Sequence, residues 1–186
     1  MAERTPVRSY PDLHDHLKAL DDAGLLVTVD REINKDTEMH PLVRWQFRGG
    51  IEENDRKAFL FTNVVDSKGN KFDMPVAVGV LAANREIYAM GMGCSVEKVQ
   101  DRWAEAIANP IPPKEISSDE APCHEVIIEG EDLDKPGNAL DAIPVPISTP
   151  GWDVGPVATL TQYVTKDPDT GLSNMGNYRA QIKAPR

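Results

Sequence analysis

Residues 143–182 read IPVPISTPGWDVGPVATLTQYVTKDPDTGLSNMGNYRAQI. Pro144, Pro146 and Pro150 deny a helix to the first part and impose an extended path. Thr159–Thr165 alternates apolar and polar residues, which predicts a strand. Lys166–Gly171 (KDPDTG) has turn composition, and Asn174–Ile182 reads as the returning strand. The stretch therefore specifies an antiparallel hairpin. Upstream, Glu125–Glu129 reads as a further strand, so a β unit begins near Glu115. Asn109-Pro110-Ile111-Pro112-Pro113 stiffens the chain just before it and marks the domain boundary. The predicted division is residues 1–113 and residues 114–186.

The first part mixes helix and strand. Pro11 suits a first helical turn, Leu13, Leu17 and Leu20 share one helix face, and Gly24 ends the helix. Leu25–Val29 follows as a strand, and Thr37–Gln46 as a helix stopped by Gly49-Gly50. Ala58–Val65 and Pro75–Val80 read as strands able to pair across the Lys68-Gly69-Asn70 turn. Arg85–Met90 reads as a short helix. Ser95 caps a longer one that runs to Ala108 and carries Val96, Val99, Trp103, Ala106 and Ile107 at helical spacing. The fold class expected is α+β: an N-terminal α/β domain, then a small β unit.

Composition removes several functions. Lys plus Arg is 20 against 30 for Asp plus Glu, a formal net charge of −10. Such a surface repels phosphate backbones and anionic membranes, so neither nucleic acid nor membrane is expected as a partner. Cys94 and Cys123 match no zinc spacing and read as reduced thiols. Residues 1–10 lack a signal-type apolar stretch, and no apolar run is long enough to span a bilayer. A cytoplasmic location is expected.

The hairpin segment carries a resemblance. An aspartate and Gly-Pro (Asp153, Gly155-Pro156), a Thr-led strand, the Asp-Pro-x-Thr-Gly turn and then Asn174-Met175-Gly176-Asn177-Tyr178-Arg179 resemble the UbiD family of decarboxylases in order and spacing. The opening DLHDHLKALDDAGLLVTVDREIN (residues 12–34) is similar to the family's usual start. The resemblance implies an N-terminal α/β domain followed by the first part of a split β-barrel that binds prenylated FMN. The flavin phosphate would be held through Mn2+ or Mg2+, with K+ nearby. Asn174 would give a side-chain oxygen to the divalent ion, and the Met175 carbonyl would face potassium. Thr159, Gly176, Asn177 and Tyr178 would line the cofactor. Arg179 would be the arginine of a Glu-Arg-Glu catalytic set, acting on an aromatic or α,β-unsaturated carboxylic acid.

These residue types suit that chemistry. Hard cations with oxygen ligands neutralise a phosphate without a large basic patch. Glycine lets backbone approach a bulky ring. A guanidinium stays charged in a dry site and offers a fork to a carboxylate. Asn174 and Arg179 are five residues apart, which on a regular strand puts them on opposite faces. Either a bulge at Gly176 resolves this, or the two serve opposite ends of a wrapped cofactor; a break in the ladder near Gly176 is the prediction.

Family members are more than twice as long, and their metal-binding histidine and glutamate and both catalytic glutamates lie beyond Arg186. The expectation is an N-terminal portion, inactive alone, that joins the remainder of the enzyme and forms a homo-oligomer when complete. The alternatives are a non-catalytic flavin-binding or assembly subunit and a plain FMN oxidoreductase. Other features read as structural. Gly91-x-Gly93 is a helix-start turn, and Asp167-x-Asp169 is turn chemistry rather than a calcium loop. His14 and His16 are solvated, His40 belongs to a helix start, and Glu129–Asp134 is a solvated acidic loop. Trp45 and Trp103 are core, and Trp152 shapes a pocket.

Overall fold

The computed structural model describes residues 12–112 and 114–185. The expected role of Pro11 lies outside them. They form a mixed α+β arrangement with small sheets, in two compact units that interleave along the chain. Of the described residues, one unit takes 12–29, 45–61, 77–112 and 114–127; the other takes 30–44, 62–76 and 128–185.

The first unit is built on α1 (Leu13–Asp22) and β1 (Leu26–Val29). Asp12 caps α1 by accepting the Asp15 N–H at 3.1 Å, and Gly24 ends it with φ +68°, where a Cβ would be strained. β1 pairs in parallel with β3 (Ala58–Phe61), and α2 (Met39–Arg48) lies between them in sequence, as a parallel pair requires of its connection. β6 (Val76–Val78) completes the order β1-β3-β6. Leu20, Leu25, Ala58, Val80, Ala83 and Ile87 pack as a buried cluster. Asn84 caps α3 (Arg85–Gly91) through the Ile87 N–H at 2.8 Å and gives its amide to the Arg56 carbonyl. α4 (Val99–Ala108) follows a single 3-10 turn at Val96–Lys98.

The second unit holds β2 (Ile33–Asn34), β4 (Val64–Val65) and β5 (Lys71–Phe72), ordered β2-β4-β5. It also holds β7 (Val157–Lys166) and β8 (Ser173–Gln181), which pair antiparallel as foreseen. Asn34 starts the path into α2: its side-chain oxygen accepts the Asp36 and Thr37 N–H groups at 2.8 and 3.2 Å.

Four expectations are corrected. Ala58–Val65 is not one strand but β3 and β4, which join different sheets. Glu125–Glu129 forms no strand; Val126 and Ile127 are exposed, and the segment runs from a 3-10 turn at Pro122–His124 into another at Gly130–Asp134. His16 is not solvated but buried, with Nε2 2.8 Å from the Val80 carbonyl. Trp45 and Trp103 are not core: they are 73% and 47% exposed, and Trp103 donates to the Tyr88 hydroxyl at 2.7 Å. Among the described residues, no helix is long and apolar enough to cross a membrane.

The buried cluster makes a direct prediction. Leu20→Ala is expected to cost roughly 2–5 kcal/mol, because little can collapse into the space left by a fully buried leucine. Ile107→Ala, on the exposed face of α4, is expected to stay within about 0.5 kcal/mol of the parent. Urea unfolding of both variants checks the pair.

Candidate functional site

The hairpin is set first by its turn. Asp167 Oδ1 accepts the Thr170 and Asp169 N–H groups at 2.6 and 3.0 Å and the Thr170 hydroxyl at 2.8 Å. The Thr170 backbone bond, then its hydroxyl, hold the Asp167 carboxyl below the usual carboxylate range. Gly171 takes φ +72° and closes the turn.

From the turn, the pairs Lys166–Ser173, Thr165–Asn174, Val164–Met175, Tyr163–Gly176, Gln162–Asn177 and Thr161–Tyr178 run without interruption. The break in register lies between Ala158 and Thr161, across from Arg179, and not at Gly176. Thr159 and Leu160 are therefore the extra residues of the irregularity, and Gly176 is a regular ladder position. Its glycine has another cause. The Tyr178 ring lies back over it, so a Cβ at residue 176 would meet the Tyr178 ring. Tyr178 stands edge-on to Tyr163 with centroids 5.8 Å apart. A glycine in a strand is here covered by a neighbouring aromatic ring.

The predicted site residues divide accordingly. Asn174, Gly176 and Tyr178 share one face of β8, while Met175, Asn177 and Arg179 share the other. Asn174 and Arg179 stand roughly 17 Å apart along the strand. Thr159 lies in the irregularity across from Arg179. All are exposed except Gly176, which is half-buried. Trp152, offered as a pocket wall, is 86% exposed.

A second group converges on Arg179 that sequence reasoning did not single out. Thr149-Pro150-Gly151-Trp152 forms a tight turn: the Trp152 N–H donates to the Thr149 carbonyl at 3.0 Å and Gly151 takes φ +87°. Proline second and glycine third is the type II arrangement. The turn folds Asp153 back on its start, where Oδ2 accepts the Thr149 N–H at 2.7 Å. Asp153 Oδ1 lies 3.8 Å from Arg179 Nη2. Arg44 Nη1 donates to Thr149 Oγ1 at 3.3 Å. His40 lies near this group; burial first, and the Arg44 charge second, push its imidazole below the ordinary value, with Asp153 opposing them. The sequence signals for the group were the Pro-Gly turn ahead of an acid and the place of Asp153 in the family-like motif, and neither gave it a site role.

The donor set can be weighed for the implied cofactor and metal. The Asn174 amide oxygen and the Met175 carbonyl are ligand types that suit a hard cation. Two such oxygens do not complete a coordination shell, and among the described residues no group of three or more His, Cys, Asp or Glu is placed to hold a metal. The hairpin thus fits as one wall of a flavin and metal site, not as the whole of it.

Comparison with known proteins bears on the same segments. Residues 17–107 match the UbiD N-terminal domain, described as 3-octaprenyl-4-hydroxybenzoate carboxy-lyase N-terminal domain. Residues 114–186 match the UbiD domain, described as the Rift-related domain of that carboxy-lyase. Protein sll0936 of Synechocystis sp., described as uncharacterized, is 31% identical, with 93% of this chain and 36% of that protein covered. The structure is similar to an evolved dimeric form of the UbiD-class enzyme HmfF from Pelotomaculum thermopropionicum in complex with prFMN. That match has a TM-score of 0.74 and 29% identity, and covers 92% of this chain and 36% of that one. The closed form of vanillic acid decarboxylase from Sedimentibacter hydroxybenzoicus shares the fold at TM-score 0.75 and 23% identity, over 96% of this chain and 36% of that one. The chain spans about a third of the length of the relatives it matches.

Two outcomes test the geometry. Gly176→Ala is expected to displace the Tyr178 ring and forfeit an aromatic contact worth about 0.5–1.5 kcal/mol, seen as lost ring-current shifts at Tyr163 and residue 176. His40, followed by NMR, is expected to titrate below about 6.5; Arg44→Gln raises the midpoint and Asp153→Asn lowers it further. Because the folded-state value is depressed, the neutral ring contributes stability above the unfolded value that is lost as pH falls through the folded one.

Proposed function

The chain belongs to the UbiD family, and from that premise we propose that it is the N-terminal portion of a reversible, non-oxidative (de)carboxylase of aromatic or α,β-unsaturated carboxylic acids. In this reading residues 1–113 form an α/β domain and residues 114–186 the first part of a split β-barrel. Bound prenylated FMN would supply the electron sink for breaking or making the carboxyl bond. The complete enzyme forms a homo-oligomer.

Arg179 carries the reading. Its guanidinium keeps its charge in any environment and presents paired N–H donors to a substrate carboxylate, fixing the plane of the group that leaves as carbon dioxide. The amide oxygen of Asn174 would help hold Mn2+ or Mg2+, which would neutralise the flavin phosphate, and the Met175 carbonyl would help hold K+. The roughly 17 Å between Arg179 and Asn174 then serves the two ends of one elongated ligand, and a bulge at Gly176 is not needed. Gly176 and Tyr178 lie on the Asn174 face, Asn177 on the Arg179 face and Thr159 across from Arg179, so a ligand lined by all four would wrap the strand. Return of a proton to carbon would fall to a glutamate of the family's Glu-Arg-Glu set, beside Arg179. The similarity to HmfF, whose structure contains prFMN, supports the cofactor assignment.

The test is release of carbon dioxide from a panel of aromatic and unsaturated acids by the complete enzyme, produced with a source of prenylated FMN. Arg179→Ala is expected to lower kcat/KM about 10²-fold or more through lost orientation. Asn174→Ala is expected to weaken metal-dependent flavin retention. An ordinary FMN spectrum with no decarboxylation of any acid would overturn the reading in favour of a plain flavin module.

A further inference from the structure

Asp153 and Arg179 are unequally fixed. The Asp153 side chain is 23% exposed and that of Arg179 is 63% exposed. One carboxylate oxygen is tied to the Thr149 N–H, and Arg44 reaches the Thr149 hydroxyl. The Pro150-Gly151 pair pre-sets the turn that carries all of this. Asp153 is thus the stationary member. The guanidinium, at the end of a long side chain on a strand face, is the movable one. Their 3.8 Å separation is an ion-pair approach and not a hydrogen bond. The attraction orients the guanidinium without consuming its N–H donors, of which arginine has five.

We propose that Asp153 is the positioning residue for Arg179: its fixed carboxylate aims the guanidinium and leaves the donor fork open for an incoming carboxylate. Arg44 braces the turn from which Asp153 acts. The inference rests on the reading above in one respect, that Arg179 meets the substrate carboxylate. Nη2, the atom nearest Asp153, belongs to both bidentate edges of the guanidinium, so the arrangement favours a planar monocarboxylate that takes one of them while Asp153 stays beside the other edge. A second acidic group beside that edge would be repelled by Asp153.

The competing role for Asp153 is merely to cap its own turn, and one substitution separates the two. Asp153→Asn keeps an oxygen for the Thr149 N–H and removes the charge seen by Arg179. NMR of the 186-residue chain follows the Arg179 side-chain Nε–H exchange rate, the Thr149 amide shift and Tm. The expected result is an unchanged Thr149 shift and Tm with exchange at Arg179 faster by about threefold, the size suited to one partly exposed ion pair. Raising salt to about 1 M, where the Debye length is near 3 Å, should produce the same acceleration in the parent chain and little in the variant. That keeps the test decisive if the variant folds poorly. Arg179 exchange indifferent to both charge removal and salt overturns the proposal and leaves the decarboxylase reading intact. In the complete enzyme, Asp153→Asn is expected to lower kcat severalfold while Arg179→Ala lowers it further. If exchange responds as expected but Arg179→Ala leaves turnover unchanged, the decarboxylase role of Arg179 falls and the positioning by Asp153 stands.

Discussion

The Lys35 side chain is only 7% exposed, and an ammonium so far from water would cost several kcal/mol if left alone. It is met by Asp36 Oδ1 at 2.7 Å and the Val145 carbonyl at 3.0 Å, with the Phe72 ring 5.7 Å away. Asp36 in turn accepts the Ser67 N–H at 3.0 Å. One charge therefore joins the end of β2, the loop after β4, the strand β5 and the proline segment. The proline segment needs this. Pro144, Pro146 and Pro150 have no N–H to give, so the stretch cannot be held by a ladder and is held through its carbonyls. Val145 accepts from Lys35, and the Pro146 carbonyl accepts the Val157 N–H at 3.0 Å, where β7 begins. The path from Lys35 to Val157 fixes the root of the hairpin that carries Arg179.

Local rules were legible where a few neighbouring residues decide the outcome. The leucine spacing of α1, the Gly24 stop, the Asp167 turn and the β7–β8 pair follow from the sequence because each is settled within a handful of positions. The misses have a common cause. EVIIE at residues 125–129 has strand composition, but a strand needs a partner and none of the described residues provides one. His16 lies one turn before Leu20 on the face that packs inward, and its residue type concealed what its position stated. Trp45 and Trp103 lie on helix faces that the described residues leave open. At the site, Asn174 and Arg179 were nameable from a motif. The Asp153–Arg179 contact spans the hairpin and has no local signature, and neither do Arg44 or His40. The irregularity at Thr159–Leu160 is a property of two strands together, so one strand's glycine could not reveal it.

The electrostatics of the site run against those of the chain. A net charge of −10 would repel an anionic ligand at long range, yet within a Debye length local groups dominate. At the Thr149–Asp153 turn the Arg44 guanidinium reaches Thr149 and the Arg179 guanidinium approaches Asp153. His40 is pushed toward its neutral form by burial and by Arg44, so it adds little positive charge near neutral pH. The positive charge at the turn is thus carried on arginine, which cannot lose its proton.

The hairpin is not held equally along its length. A two-stranded ribbon is marginal in water, and among the described residues β7 and β8 pair only with each other. Its root is anchored by the Val157 N–H on the Pro146 carbonyl, the Ile182 N–H on the Pro156 carbonyl at 2.9 Å, and the Leu140 N–H on the Pro185 carbonyl at 2.8 Å. Its far end is closed only by the Asp167 turn. Leu160, Val164, Leu172 and Met175 leave apolar surface open along it. Arg179 lies near the root, within reach of Asp153, and its place is set by this chain. Asn174 lies near the tip, and its placement depends on whatever covers that apolar surface. If Arg179 orients a carboxylate and Asn174 meets a cation as proposed, the first role sits at the held end and the second at the loose end, so substrate geometry would be set within this segment and cofactor retention would need further contacts.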